Sequence, residues 1–183
     1  LKYKDKSILD YWKCFKDVRV AASLDTFEQK AEYARKGTDW NKIVSNRKTM
    51  IDHCPNVYFE ITPTISIFSV HSLYEFHRSW VEEGLLDIDN VRINILTHPR
   101  YFSITILPKE YKRRIEGLYN AYVKWLQDNN SQLHVVQSIN GIVDYMNSAD
   151  HSNLISDFKS QIQIIDNVRN ERFVEIYPEL ENL

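Results

Sequence analysis

The side chains best suited to hold a ligand lie close together near the start of the chain, in VRVAASLDTFEQKAEYARKGTDW: the hydroxyl of Ser23, the carboxylate of Asp25 and the guanidinium of Arg35. An apolar run ends at Ser23-Leu24-Asp25, and the period of two of an extended chain puts Ser23 and Asp25 on one side of it. A carboxylate there accepts from sugar hydroxyls, and a hydroxyl holds a carboxylate or an ammonium group. Equally, either residue serves as the cap of the helix that follows. Arg35 offers a planar fork to a carboxylate, or else an ion pair to Glu32. Thr62, Thr64 and Ser66 alternate along a second run and give it a face of three hydroxyls, which suits a polar barrel mouth and a solvated edge equally well.

Other chemistries find little footing. The six histidines, at 53, 71, 77, 98, 134 and 151, form no HExxH pair and no acid-rich cluster. No Gly-rich phosphate loop or GxSxG elbow occurs. Cys14 and Cys54 lie far apart, which fits neither a disulfide framework nor a closely spaced metal motif, so both read as structural. Lys109, Lys112, Arg113 and Arg114, with Tyr111, Tyr119 and Tyr122 nearby, suit an RNA-facing surface less well than a solvated helix face. A net charge of −2 and a pI near 6.3 give no sign of a nucleic-acid or membrane footprint. No run reaches the roughly 18 apolar residues of a membrane helix and no signal peptide opens the chain, so the expectation is a cytoplasmic protein.

The elements that must position these groups alternate in type over the first two thirds of the 183 residues. Ser7 to Phe15 reads as helix and Val18 to Ala22 as strand. Thr38 or Asp39 caps a helix running towards Ile51. Val57 to Ile67 reads as strand with a break near Pro63, which cannot donate to a ladder. Val70 to Glu83 has helical apolar spacing, ended by Gly84, and Val91 to Leu96 is the third strand. Strands separated by helical connections argue for parallel pairing. From Pro108 the chain reads as helix to about Asp128, then Leu133 to Met146 and His151 to Ile165, with Arg169 to Leu183 as a strap packing back. Leu1, standing where Met is usual, suggests a fragment or a trimmed chain, and Ile8, Leu9, Trp12 and Phe15 form an apolar face with nothing obvious before it.

Taken together, VRVAASLDTF with AEYARKGTDWNKIVSN, ITPTISIFSVHSLYEF and INILTHPRYFSITILP resembles the later half of a radical S-adenosylmethionine enzyme carrying a shortened, SPASM-like twitch extension. The likeness covers most of the chain, including the tail around Asp166-Asn167-Val168-Arg169 and Phe173 to Leu180. It implies an α/β fold: the C-terminal half of a partial (β/α)6 barrel over residues 1–107, with three parallel strands as its fourth to sixth, and a helical extension over 108–183. It further implies cofactor-binding roles. Ser23 and Asp25 match the positions near the ribose and amino-acid part of S-adenosylmethionine. Thr64 and Ser66 match the fifth-strand motif, Leu96 and Thr97 the place where backbone approaches adenine, and Arg35 the arginine after strand four.

The departures from the pattern are specific. The family's three cysteines, which hold a [4Fe-4S] cluster and leave one iron for the cofactor, are absent, as are auxiliary-cluster cysteines. The Gly-rich segment that holds the cofactor's amino group would lie upstream. Thr26 stands where Gly is usual and Ser69 where Asn is frequent. The resemblance therefore implies an inactive C-terminal fragment whose partner is the cluster-bearing N-terminal half, acting on an unidentified peptide or small molecule. Two other readings stand beside it: a self-contained α/β binding or interaction module, and a hydrolase or lyase with Asp25 as base, for which no second catalytic group is evident. Half a parallel sheet also leaves an open edge.

Overall fold

Val18, Val20 and Ala22 alternate with Arg19 and Ala21, and Val57, Phe59 and Ile61 alternate with Tyr58 and Glu60. Two such strands laid side by side make a sheet with one apolar and one polar face. The computed structural model, which describes residues 2–3 and 6–183, builds that sheet. Strand β1 (Lys2–Tyr3) and strand β2 (Lys6–Ser7) pair antiparallel ahead of helix α1 (Ile8–Trp12). Strand β3 (Val18–Ala22) then runs parallel to β4 (Val57–Ile61) in the register Val18 to Val57 through Ala22 to Ile61. Helices α2 (Glu28–Ala34) and α3 (Trp40–His53) form the crossover between them.

Thr62-Pro63 interrupts the second strand, as the missing donor of Pro63 requires. The chain resumes as β5 (Thr64–Ile65), which pairs parallel with β6 (Asn94–Ile95) after the crossover helix α4 (Leu73–Glu82). A parallel bridge from Ile61 to Val91 joins the two parts into one three-stranded order. The fold is thus α/β with parallel strands. The sequence overstates β6, since only Asn94–Ile95 of the expected Val91 to Leu96 form a continuous strand. The likeness in hydrogen bonding persists beyond it, because Leu96 N–H still donates to the Ile65 carbonyl.

The apolar face of the sheet is covered. Trp40 of α3 and Phe76 and Trp80 of α4 interlock, with Trp80 also meeting Phe59 of β4 at 6.3 Å between ring centres. Phe76 is fully buried, a burial that contributes about 2–3 kcal/mol. Asp39, rather than Thr38, caps α3 by accepting from the Lys42 N–H. Gly84 ends the α4 region at φ +70°, a conformation glycine adopts without a Cβ penalty.

Beyond the sheet, Pro108 precedes helix α5 (Lys109–Asp128), followed by α6 (Leu133–Asn147) and α7 (Ile155–Arg169). The short α8 (Phe173–Ile176) closes the chain as part of a strap. The hydrophobic core is continuous from Leu9 to Leu183 and includes Ile61 and Ile65 of the sheet with Tyr122, Ile142 and Phe158 of the helices. The strap packs on α2: Tyr177 Oη donates to the Lys30 carbonyl at 3.0 Å, and Lys30 pairs with Glu179 at 2.6 Å. Among the described residues no helix is long and apolar enough to cross a membrane.

Candidate functional site

The segment after the C-terminal tip of β3 meets the start of β5 at Asp25. Its Oδ1 accepts from the backbone N–H of Thr64 at 2.7 Å and from Arg35 Nη2 at 3.2 Å, while Oδ2 accepts from Arg35 Nε at 2.8 Å. Asp25 is therefore no cap: Phe27 is the N-cap of α2, with no side-chain cap bond. Nor does Arg35 pair with Glu32, whose carboxylate accepts instead from the Trp40 N–H. One carboxylate fastens two neighbouring strands and the end of the following helix. The bond to Asp25 raises the Arg35 pKa above its ordinary value, more than burial lowers it.

The arrangement leaves capacity unused. Each carboxylate oxygen carries two lone pairs, so Oδ2 can take one further donor. The Arg35 side chain is 47% exposed against 14% for Asp25, and its remaining N–H groups face solvent. Ser23, exposed, lines the same recess of about 180 Å³ together with Leu24, Thr26 and Thr38. Because Arg35 is so open, its pair with Asp25 contributes only about 1 kcal/mol to stability. That pair's larger effect is to fix the direction of the guanidinium.

The other expected site residues divide. Thr64 joins the site through its backbone. Ser66 is 7% exposed and sits in a turn: its hydroxyl accepts from the Phe68 N–H, and its own N–H donates to Ser69 Oγ, which donates in turn to the Thr64 carbonyl. Ser69 thereby closes the end of β5. Leu96 spends its N–H on the ladder, and Thr97 is exposed beside His98. Neither Ser66 nor Thr97 makes a hydrogen bond to Asp25 or Arg35.

Two features escape a reading by residue type. Thr26 is fully buried and its hydroxyl shares a 2.6 Å hydrogen bond with Ser72, at the start of α4, so it ties the strand tip to the helix behind the sheet. The second is a clamp on α2. Tyr33 Oη donates to Asp166 at 2.7 Å, Asp166 also accepts from the Phe173 N–H, and Arg169 donates to the Tyr33 carbonyl. Burial, together with the bond to Asp166, pushes the Tyr33 pKa up. The pairing of 33 with 166 has no local signal in the sequence.

Two buried histidines lie away from this site. His77 Nδ1 lies 2.5 Å from Tyr122 Oη inside the helical layer, and burial pushes its pKa down to about 4. Burial does the same to His71. Lys112 is buried and donates to the Ala149 carbonyl, Arg114 pairs with Glu110, and Lys109 and Arg113 are exposed.

A [4Fe-4S] cluster does not fit this donor set. Cys14 is exposed at the end of α1 while Cys54 is buried against the Leu9 carbonyl, and no three His, Cys, Asp or Glu among the described residues are placed to share a metal. The groups at the strand tips, by contrast, suit a polar organic ligand that has hydroxyls for Asp25 and a carboxylate for Arg35. No protein-family model, curated protein or solved structure matches the chain.

Proposed function

We propose that this chain forms the C-terminal wall of a radical S-adenosylmethionine enzyme, a partial barrel completed by a cluster-bearing N-terminal half. The observation that carries the reading is the three-way junction at Asp25, which links Arg35 and the start of β5 just beyond the C-terminal ends of the parallel strands β3 and β4. Parallel α/β sheets bind ligands at that end. S-adenosylmethionine supplies, when bound beside a reduced cluster, the 5′-deoxyadenosyl group that abstracts hydrogen from a substrate.

The chain's own part is binding and orientation. Asp25 Oδ2 accepts from a ribose hydroxyl, and the free N–H groups of Arg35 take the carboxylate of the amino-acid moiety. Ser23 adds a donor beside them. The Thr64 N–H holds Asp25 in place, and the Ser66–Ser69 turn holds Thr64 in place.

The test is the polypeptide encoded together with the DNA upstream of Leu1. Three cysteines separated by three and then two residues are expected within about 120 residues, the length of several βα units. That longer polypeptide, purified without oxygen, is expected to hold about four irons per cluster. An upstream sequence with no such cysteines would leave the binding-module reading in its place.

A further inference from the structure

Phe158, Ile162 and Asp166 follow one another four residues apart along α7, so they share one stripe of the helix, about 12 Å from first to last. Together with the strap, that stripe encloses a hollow of about 650 Å³, a volume that suits a small organic ligand. Its floor is apolar: Phe158, Ile162, Phe173, Leu180 and Leu183 are all buried. The Phe173 ring is held edge-on to Phe158 at 5.6 Å and stacked on Tyr177 at 4.8 Å. Asp166 stands at the other end of the stripe, in the last turn of α7. The charges around the hollow are not balanced. Glu171 pairs with Lys36 and lies 4.0 Å from Arg169, and Arg172 pairs with Glu175. Asp166 has two neutral donors, Tyr33 Oη and the Phe173 N–H, and among the described residues no cation lies within ion-pair distance of it. Each of its oxygens keeps one lone pair.

We infer that this hollow is a binding site for an organic amine, with the protonated ammonium group on Asp166 and an apolar body laid along Ile162 towards Phe158. The ammonium group supplies the counter-charge that Asp166 lacks, through charge-assisted bonds stronger than those of its neutral donors. The C-terminal end of a helix favours the same sign of charge. The buried floor takes the apolar body out of water. A carboxylate of the same shape meets like charge from Asp166, from the exposed Glu181 on the rim and from the helix end. Lys159 is exposed about two turns away, at the apolar end of the stripe, and is badly placed to offset them. The site shares no residue with the Asp25 junction and does not depend on the cofactor reading.

The test titrates the 183-residue chain with phenethylamine and, at the same ionic strength, with hydrocinnamate, following the Phe173 amide and the Ile162 methyl groups by NMR. Saturable shifts are expected with the amine, and at least tenfold weaker binding of the acid. Asp166→Asn is expected to weaken the amine at least tenfold and to narrow the gap between the two probes. Gln163→Trp, a change at an exposed residue of the rim, is expected to block the hollow in a chain that stays folded, and it decides the matter if Asp166→Asn does not fold. S-adenosylhomocysteine, titrated in parallel, is expected to move the Thr64 amide and the Arg35 signals and to leave Phe173 and Ile162 unmoved, so either site can fail alone. Equal affinity for the two probes would overturn the inference, as would an amine affinity unchanged in Asp166→Asn or in Gln163→Trp.

Discussion

Asp25 at the strand tips and His77 beneath α5 are both polar side chains withdrawn from water, and their surroundings treat them in opposite ways. Asp25 is tied by three bonds yet keeps a lone pair towards a recess. His77 is sealed: it meets Tyr122 and stacks edge-on with Trp125. Tyr119 Oη and His71 Nε2 are buried without a partner. A fixed polar group with spare, reachable capacity is equipped to bind, whereas a fixed polar group without access only sets packing and pH response. The contrast assigns ligand chemistry to the strand tips and stability to the packing beneath α5.

The strongest way to break that division is to remove Tyr122. Tyr122→Ala empties a fully buried site and is expected to cost about 3–5 kcal/mol in urea unfolding. The S-adenosylhomocysteine response of the folded fraction should be unchanged. A lost response would show that the layer shapes the site.

The second way is pH. The folded-state pKa values of His71 and His77 fall to about 4, below the usual 6.5, so the unfolded chain binds more protons as the pH drops. Stability is full above pH 6.5 and declines by roughly 1 kcal/mol per pH unit for each histidine, until the folded forms protonate near 4. Urea midpoints measured from pH 7 to 5 should fall, and His71→Asn should flatten the slope.

Asp25→Asn sharpens the comparison from the other side. The amide loses the charged bond to Arg35 and part of the tie to Thr64, for about 1–2 kcal/mol of stability, while S-adenosylhomocysteine binding is expected to drop at least tenfold by calorimetry. The smallest effect belongs to Tyr119→Phe. Removing a buried hydroxyl without a partner should leave stability unchanged or raise it by up to about 1 kcal/mol, read from the thermal midpoint.

The sequence made the sheet legible wherever period-two alternation was unbroken. Val18 to Ala22 and the break at Pro63 could be read directly, because the first is a propensity and the second a missing donor. The partner of Asp25 could not, because Arg35 reaches back across α2 and the choice between Glu32 and Asp25 depends on how that helix is set down. The polar face of the sheet lay in plain view: Arg19, Tyr58, Glu60 and Arg92 alternate with Val18, Phe59, Ile61 and Val91. The clamp of Tyr33 by Asp166 and Arg169 rests on contacts more than 130 residues apart in the chain, which no local pattern encodes.

The central claim is that the Asp25 junction belongs to a cofactor wall. Its most direct test is 5′-deoxyadenosine formation, measured by chromatography after adding dithionite and S-adenosylmethionine to the anaerobic polypeptide that includes the sequence upstream of Leu1. The account predicts turnover that falls at least tenfold in Asp25→Ala with the iron content unchanged. Absence of 5′-deoxyadenosine from an iron-loaded polypeptide, or full activity in Asp25→Ala, would contradict it.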